Sequence, residues 1–117
     1  MEPALQVKLI TAAVFIVASL FLAALSVPFI QRKVKPNKYW GFIRTRRMVE
    51  NADIWYPVNA YAGNLMVRVA IVVSVSTIVL LLVPGIGPAT YIFVLTALLI
   101  VLLVGLVILT FRYLSRV

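Results

Sequence analysis

The segment that decides the fold is Leu65–Phe111, which reads LMVRVAIVVSVSTIVLLLVPGIGPATYIFVLTALLIVLLVGLVILTF. It contains two continuous apolar runs, residues 65–83 and 89–111, separated by PGIGP at 84–88. Proline and glycine at this density end a helix and form a tight turn. Each run is about as long as the roughly 20 apolar residues that a helix needs to cross a bilayer. The segment therefore predicts two antiparallel transmembrane helices joined by a short turn.

A third apolar run, residues 9–30, lies near the N-terminus and contains no charged residue. Glu2 and Lys8 precede it, and the run is longer than the 7–15 residues typical of a signal-peptide core. We therefore expect an uncleaved membrane anchor. The predicted fold class is an all-α integral membrane protein with a single membrane domain over residues 1–117. It has three transmembrane helices, and a basic, aromatic interfacial segment at residues 31–64 joins the first to the second.

The composition agrees with a membrane protein and restricts the chemistry. Of 117 residues, 64% are hydrophobic, and the formal net charge is +8. Histidine and cysteine are both absent, which removes disulfides, Cys/His zinc sites and haem ligation by these residues. The basic residues flank apolar runs, so we expect contact with lipid head groups and not with nucleic acid. No arrangement of residues resembles a catalytic site. We expect no enzymatic activity and no cofactor.

The distribution of basic residues predicts the orientation in the membrane. Three spans place the segment after the first helix and the C-terminus on the same side, and both are basic. The residues concerned are Arg32, Lys33, Lys35, Lys38, Arg44, Arg46, Arg47, Arg112 and Arg116. The positive-inside rule then predicts a multi-pass plasma-membrane protein whose N-terminus is outside, with the basic segment and the C-terminus in the cytoplasm.

Several residues of the basic segment are typical of a membrane interface. Tyr39 and Trp40 fit an interfacial aromatic belt, and Arg46 and Arg47 fit a cluster attracted to anionic lipid. Arg68 interrupts the second apolar run. Its guanidinium is expected to reach the interface while its aliphatic stem stays among the lipid chains.

Three other positions in this segment leave their roles open. Gly41 fits either a positive φ or a close backbone approach. Arg44 fits either lipid attraction or a specific contact with a carboxylate, phosphate or carbonyl group. Asn59 fits either interfacial hydration or a hydrogen bond that fixes the segment to the helices.

The second helix has two possible starts in the sequence. Asn51 or Asp53 fits an N-cap for a helix that starts near Ile54, while Tyr56 fits an N-cap with Pro57 at the first position. The preferred prediction is a short interfacial helical turn that leads into the second span, with Gly63 as a possible bend. Trp55, Asn59 and Gly63 have the spacing that places them on one helix face.

Together, these residues resemble the repeat of the SdpI family, a family of small bacterial and archaeal membrane proteins. The matching positions are Pro36, Asn37, Gly41, Arg44, Thr45, Trp55, Asn59 and Gly63. The chain departs from the pattern in the extra residue between Gly41 and Arg44, in Arg46, which replaces a proline, and in Pro57. It is also shorter than the founding member's type, which carries additional spans.

The resemblance implies a role in immunity and signalling. The member after which the family is named resembles a self-protection protein. Such a protein guards the producing cell against a secreted peptide toxin and, once it has bound the toxin, sequesters a transcriptional repressor at the membrane. By this analogy the chain binds a peptide toxin or a regulatory protein through its cytoplasmic segment. The alternative is an accessory subunit of a larger membrane complex, and a pore is a weaker third possibility. Anionic lipids are expected partners, and either a homo-oligomer or a larger complex is compatible with the sequence.

Overall fold

The computed structural model describes residues 2–37, 39–42 and 44–116. Lys38, which belongs to the predicted basic cluster, lies outside the described residues. The described chain forms four helices, which are α1 (Pro3–Ile30), α2 (Arg46–Val49), α3 (Ala52–Leu82) and α4 (Pro88–Leu114). Helices α1, α3 and α4 are long and apolar enough to cross a membrane. The prediction of an all-α membrane protein with three spans is therefore confirmed.

Each long helix extends past the apolar run from which it was predicted. The helices contain 28, 31 and 27 residues, or about 40–46 Å each at 1.5 Å per residue. This length exceeds the roughly 30 Å thickness of the hydrocarbon core. The hydropathy of the sequence marks the part of each helix that is apolar enough for lipid, whereas the helices themselves are longer.

Helix α3 shows the largest extension, because it begins at Ala52 and includes most of the polar residues before the second apolar run. Asn51 is its N-cap, and Oδ1 of Asn51 accepts a hydrogen bond from the backbone N–H of Asp53 at 3.0 Å. This is the first of the two predicted starts, so Pro57 lies inside the helix and not at its first position. The helix also continues through Gly63, where the sequence had indicated a possible bend.

Helix α1 ends in a Schellman motif that reverses the chain toward α2. Arg32 occupies the left-handed region with a φ of 58°. Its N–H donates to the carbonyl of Phe29 at 3.1 Å, and the N–H of Lys33 donates to the carbonyl of Pro28 at 2.8 Å. These two bonds satisfy carbonyl groups that the end of a helix otherwise leaves unpaired.

Small buried residues recur at seven-residue spacing in both α1 and α3, the two helices with the most extensive contact. They are Ala12, Ser19 and Ser26 in α1, and Gly63, Ala70 and Thr77 in α3. A seven-residue period keeps one stripe of each helix facing its neighbour, and small side chains allow the backbones to approach closely. This packing needs no charge and suits helices surrounded by lipid.

The two ends of the bundle differ in composition. At one end, Lys8 of α1 donates a hydrogen bond from Nζ to the carbonyl of Ile86 in the α3–α4 turn, at 2.9 Å. At the other end, the rings of Tyr61 in α3 and Tyr113 in α4 stack with their centroids 4.4 Å apart. The segment that joins α1 to α3 and the C-terminus therefore lie at the same end, opposite the N-terminus. This places the two basic clusters together.

Candidate functional site

The polar motif residues of the sequence meet in a cap over one end of the bundle. We define the cap as residues 31–51, which include α2 and connect α1 to α3. Its interior is a hydrophobic cluster in which Met48 of the cap contacts Trp55 and Val58 of α3 and Leu114 of α4. Val34 packs against the edge of the same cluster. The cap is thus a packed part of the fold that joins all three spanning helices.

Trp55 is the central side chain of this cluster and is completely buried, with 0% of its surface exposed. Its Nε1 donates a hydrogen bond to the carbonyl of Val34 at 2.9 Å. The bond satisfies the one polar atom of the indole while its rings fill the space beneath the cap. The sequence marked Trp55 as part of the candidate site, and the structure places it inside the site, away from solvent.

Gly41 lies directly against the indole ring of Trp55. A Cβ at this position would be 2.8 Å from Cη2 of Trp55, a separation too short for two carbon atoms. Among the described residues, the glycine with a positive φ is Gly85, in the α3–α4 turn, and not Gly41. Of the two roles that the sequence left open for Gly41, the close approach is the one observed.

Asn59 links the cap to α3 by hydrogen bonds from both ends of its side-chain amide. Oδ1 accepts from the backbone N–H of Phe42 at 2.9 Å, and Nδ2 donates to the carbonyl of Trp55 at 3.1 Å. The side chain is 1% exposed. The alternative in which Asn59 fixes the segment to the helices is therefore correct, and interfacial hydration is not its role. Asn64, one turn further along, is exposed and donates to the carbonyl of Ala60 in its own helix.

Asn37 folds the part of the cap that follows Pro36. Its Oδ1 accepts hydrogen bonds from the backbone N–H groups of Tyr39 (2.8 Å) and Trp40 (2.6 Å), and its Nδ2 donates to the carbonyls of Lys35 and Trp40. An asparagine in this arrangement replaces the backbone partners that a turn otherwise lacks. The turn brings the Trp40 ring to 5.4 Å from the Phe29 ring of α1, measured between centroids.

Tyr39 and Trp40 remain accessible, with 86% and 45% of their surfaces exposed. Both lie at the end of the bundle, where an aromatic side chain meets head groups if the spans cross a bilayer. The interfacial belt expected from the sequence stays a prediction.

Thr45 caps α2, because its Oγ1 accepts a hydrogen bond from the backbone N–H of Met48 at 3.3 Å. The short helix directs Met48 into the cluster and leaves Arg46 and Arg47 exposed. Nε of Arg46 lies 3.1 Å from Oε1 of Glu50, and both side chains are largely exposed. An ion pair of this kind adds little to stability, so its main effect is on the charge pattern of the surface.

Gly63 lies one helical turn beyond Asn59 and sets the separation of α1 and α3. A Cβ on Gly63 would be 3.0 Å from Cγ1 of Ile30 and 3.2 Å from the carbonyl oxygen of Ser26. Trp55, Asn59 and Gly63 therefore share one buried face, as their spacing predicted. On this face, Trp55 and Asn59 contact the cap, and Gly63 contacts α1.

Arg44 is the motif residue that the structure places on the outside. Arg44 is exposed as a residue, and its Cγ would be 3.2 Å from a Cβ on Gly41, so its aliphatic stem lies against Gly41. Arg44, Arg46, Val49 and Glu50 together line an open groove on the outer surface of the cap. Arg68 is not part of this surface, since it lies on the lipid side of α3, well below the cap.

Three residues of the cap interior were not identified from the sequence. The sequence around Met48 could have indicated its burial, because Met48 is the third residue after the capping Thr45 and stands between two arginines and a valine. No local pattern indicates the burial of Val34 or Leu114, since their roles depend on contacts with residues far away in the chain.

These features define a small multi-pass helical membrane protein in which the polar motif builds a cap that joins the spans. The model of the SdpI/YfhL protein family matches residues 33–112, which is more than half of the chain. The chain therefore belongs to the SdpI/YfhL family, as its motif residues predicted. The match includes most of the cap, all of α3 and nearly all of α4. No curated protein and no solved structure matches the chain significantly.

Proposed function

We propose that this protein is a non-enzymatic member of the immunity and signalling type, which binds a peptide or protein partner through the outer surface of the cap. The observation that supports this role is that the motif residues have two kinds of position in the cap. Asn37, Gly41, Trp55 and Asn59 hold the cap together, whereas Arg44 is exposed on its surface, as is Arg46. A rigid base with exposed guanidinium groups favours recognition of carboxylates or phosphates.

The protein would bind its partner without catalysing a reaction. The chain has no histidine or cysteine to act as a nucleophile or proton carrier at neutral pH. The groove beside Arg44 is open and carries the single carboxylate of Glu50. Its chemistry favours an ionic contact with an acidic segment of a partner.

The proposed location is the plasma membrane, with the cap in the cytoplasm and the N-terminus outside. Both basic clusters lie at the cap end, and the opposite end carries Lys8 and an uncharged turn. This distribution of charge is the one that the positive-inside rule favours for an inserted helical protein.

A protection assay tests the proposal. A strain that lacks the gene is complemented with the wild type, Arg44→Gln or Arg44→Lys and challenged with the membrane-active peptides that the same organism secretes. The wild type should restore survival and Arg44→Gln should not, although both reach the membrane in equal amounts. Arg112→Gln, which removes an exposed cation at the end of α4, is the matched control and should protect like the wild type.

Two results would overturn the proposal. The first is equal survival with and without the gene, and the second is full protection by Arg44→Gln. Substitution of Trp55 is a poor test, because the loss of a buried indole removes the cap itself. A native gel of a mild-detergent extract adds a second readout. Comigration with a much larger assembly would favour the accessory-subunit role instead.

A further inference from the structure

Helices α3 and α4 leave an apolar groove between them on the lipid side of the bundle. One face of α3 forms the first wall, with Leu65, Val69 and Val72, and one face of α4 forms the second wall, with Leu102 and Leu106. The groove has a volume of about 360 Å³ and is almost entirely apolar. This volume lies within the roughly 300–1,000 Å³ range of sites that hold small ligands.

Gly105 lies in the α4 wall of the groove, between Leu102 and Leu106, and its missing side chain leaves the groove open there. A Cβ added to Gly105 would meet no atom within 4 Å. This contrasts with Gly63, where the missing side chain is required by a neighbouring helix. The space above Gly105 is therefore not used by any described part of this chain.

Arg68 is the charged residue among those that line the groove. It is exposed on α3, between the lining residues Leu65 and Val69. It has no hydrogen-bond or ion-pair partner among residues 2–37, 39–42 and 44–116. Arg68 lies fourteen residues before the end of α3 at Leu82, about 21 Å along the helix axis. If the hydrocarbon core of roughly 30 Å begins near Leu82, the Cα of Arg68 lies in its cap-side part, where the guanidinium must reach the interface or find an anionic partner.

The direction of the side chain brings this charge toward the cap. Cα–Cβ bonds in a helix tilt toward its N-terminus, and the N-terminus of α3 is at the cap end. The Cα–Cβ bond of Arg68 therefore points toward the cap end, while Val69 and Val72 continue the groove toward the α3–α4 turn. A cation within an apolar channel complements a molecule with an anionic head and a hydrocarbon tail.

We propose that the α3–α4 groove is a binding site for one anionic phospholipid. The acyl chain lies in the groove over Gly105, and the phosphate accepts hydrogen bonds from the guanidinium of Arg68. Arginine is suited to this contact because its planar donors pair with two phosphate oxygens.

A second copy of the chain is a less favourable occupant. Copies inserted in the same orientation carry Arg68 at the same depth, and a two-fold contact across the groove would bring the two guanidinium groups together. In a medium of low dielectric constant, like charges at short distance repel strongly. A phospholipid neutralises the arginine, whereas a dimer adds a second positive charge.

Native mass spectrometry of the purified full-length chain tests the site. Phosphatidylglycerol, phosphatidylcholine and free glycerol phosphate are titrated separately. Phosphatidylglycerol should bind best, phosphatidylcholine about tenfold more weakly because its head group has no net charge, and glycerol phosphate not measurably. Arg68→Gln should lower the affinity for phosphatidylglycerol by about tenfold, which corresponds to the loss of a hydrogen bond to a charged group.

Gly105→Leu tests the apolar part without removing the charge, because the new side chain enters the open groove. It should lower phosphatidylglycerol binding about tenfold, while the melting temperature does not fall. Arg112→Gln is the control for net charge and should bind like the wild type. Unchanged binding in either Arg68→Gln or Gly105→Leu overturns the site. A dimer that Gly105→Leu dissociates also overturns it and identifies a second copy as the occupant.

Discussion

At the scale of single residues, two asparagines of α3 show how position determines the effect of the same side chain. Asn59 is buried and joins Phe42 of the cap to the backbone of Trp55. Asn64 is exposed and bonds to its own helix. A buried amide that serves two backbone groups stabilises the fold mainly because its removal leaves those groups unpaired.

We therefore expect Asn59→Leu to destabilise the protein by about 1–3 kcal/mol, the cost of leaving buried polar groups without partners. Asn64→Leu introduces the same side chain at an exposed site and should change stability by less than about 0.5 kcal/mol. Thermal unfolding of both variants in one detergent measures the difference. Equal melting temperatures for the two variants would contradict the role assigned to Asn59.

The sequence alone could not decide between the roles of Asn59 or Gly41. The hydrogen bond between Asn59 and Phe42 joins residues 17 positions apart, and the contact of Gly41 with Trp55 depends on how the cap folds back onto α3. The shared face of Trp55, Asn59 and Gly63 was predictable because it follows from helix geometry alone. Local geometry could be read from the sequence, whereas contacts that depend on the folded cap could not.

At the scale of whole elements, the glycines of the spanning helices separate two kinds of helix contact. Gly63 of α3 faces Ser26 and Ile30 of α1 at close range, while Gly105 of α4 faces open space. Glycine is therefore a packing requirement at the α1–α3 contact and not at the surface of α4. This difference explains why α1 and α3 approach closely although neither carries a charge at the contact.

We expect Gly63→Leu and Gly105→Leu to have opposite effects on stability. The first forces α1 away from α3 and should cost about 1–3 kcal/mol, as for other overpacked sites. The second replaces a helical glycine without a clash and should raise stability by up to about 1 kcal/mol. Unfolding in detergent with increasing SDS compares the two variants. A Gly63→Leu variant as stable as the wild type would contradict the close packing of α1 and α3.

The helices themselves were predictable to different degrees. Residues 84–88 predicted the turn between α3 and α4, because proline and glycine end helices for local reasons. The start of α3 at Ala52 was one of two possibilities, since Asn51 and Tyr56 both fit an N-cap. The helix starts at Ala52, with Asn51 as its N-cap, because Ile54, Trp55 and Val58 pack under the cap, which overrides the cost of a proline at position 57.

At the scale of the whole molecule, the fold is a rod of about 55 × 23 × 19 Å. Its long axis exceeds the roughly 40–45 Å of a complete bilayer including head groups. Part of the rod therefore projects into water if the three helices span the membrane. The cap end carries the basic residues, and its packed interior allows it to keep its structure outside the lipid.

The absence of cysteine from the sequence makes the orientation directly measurable. We expect Arg46→Cys, in the cap, to be protected from a membrane-impermeant maleimide in intact cells and labelled after permeabilisation. Gly87→Cys, in the exposed α3–α4 turn, should be labelled in intact cells. Both sites are exposed, so a difference in labelling reports the side of the membrane. Labelling of Arg46→Cys alone in intact cells would reverse the proposed orientation.

The burial of Trp55 beneath Gly41 also gives the molecule an optical signal of its own. The chain contains two tryptophans, and the other, Trp40, is half-exposed on the cap surface. A shielded indole emits at shorter wavelength than a hydrated one and is inaccessible to aqueous quenchers. In a Trp40→Phe variant, the remaining fluorescence comes from Trp55 alone. A red shift on addition of a partner would then report that the cap lifts from the helices, without any attached dye.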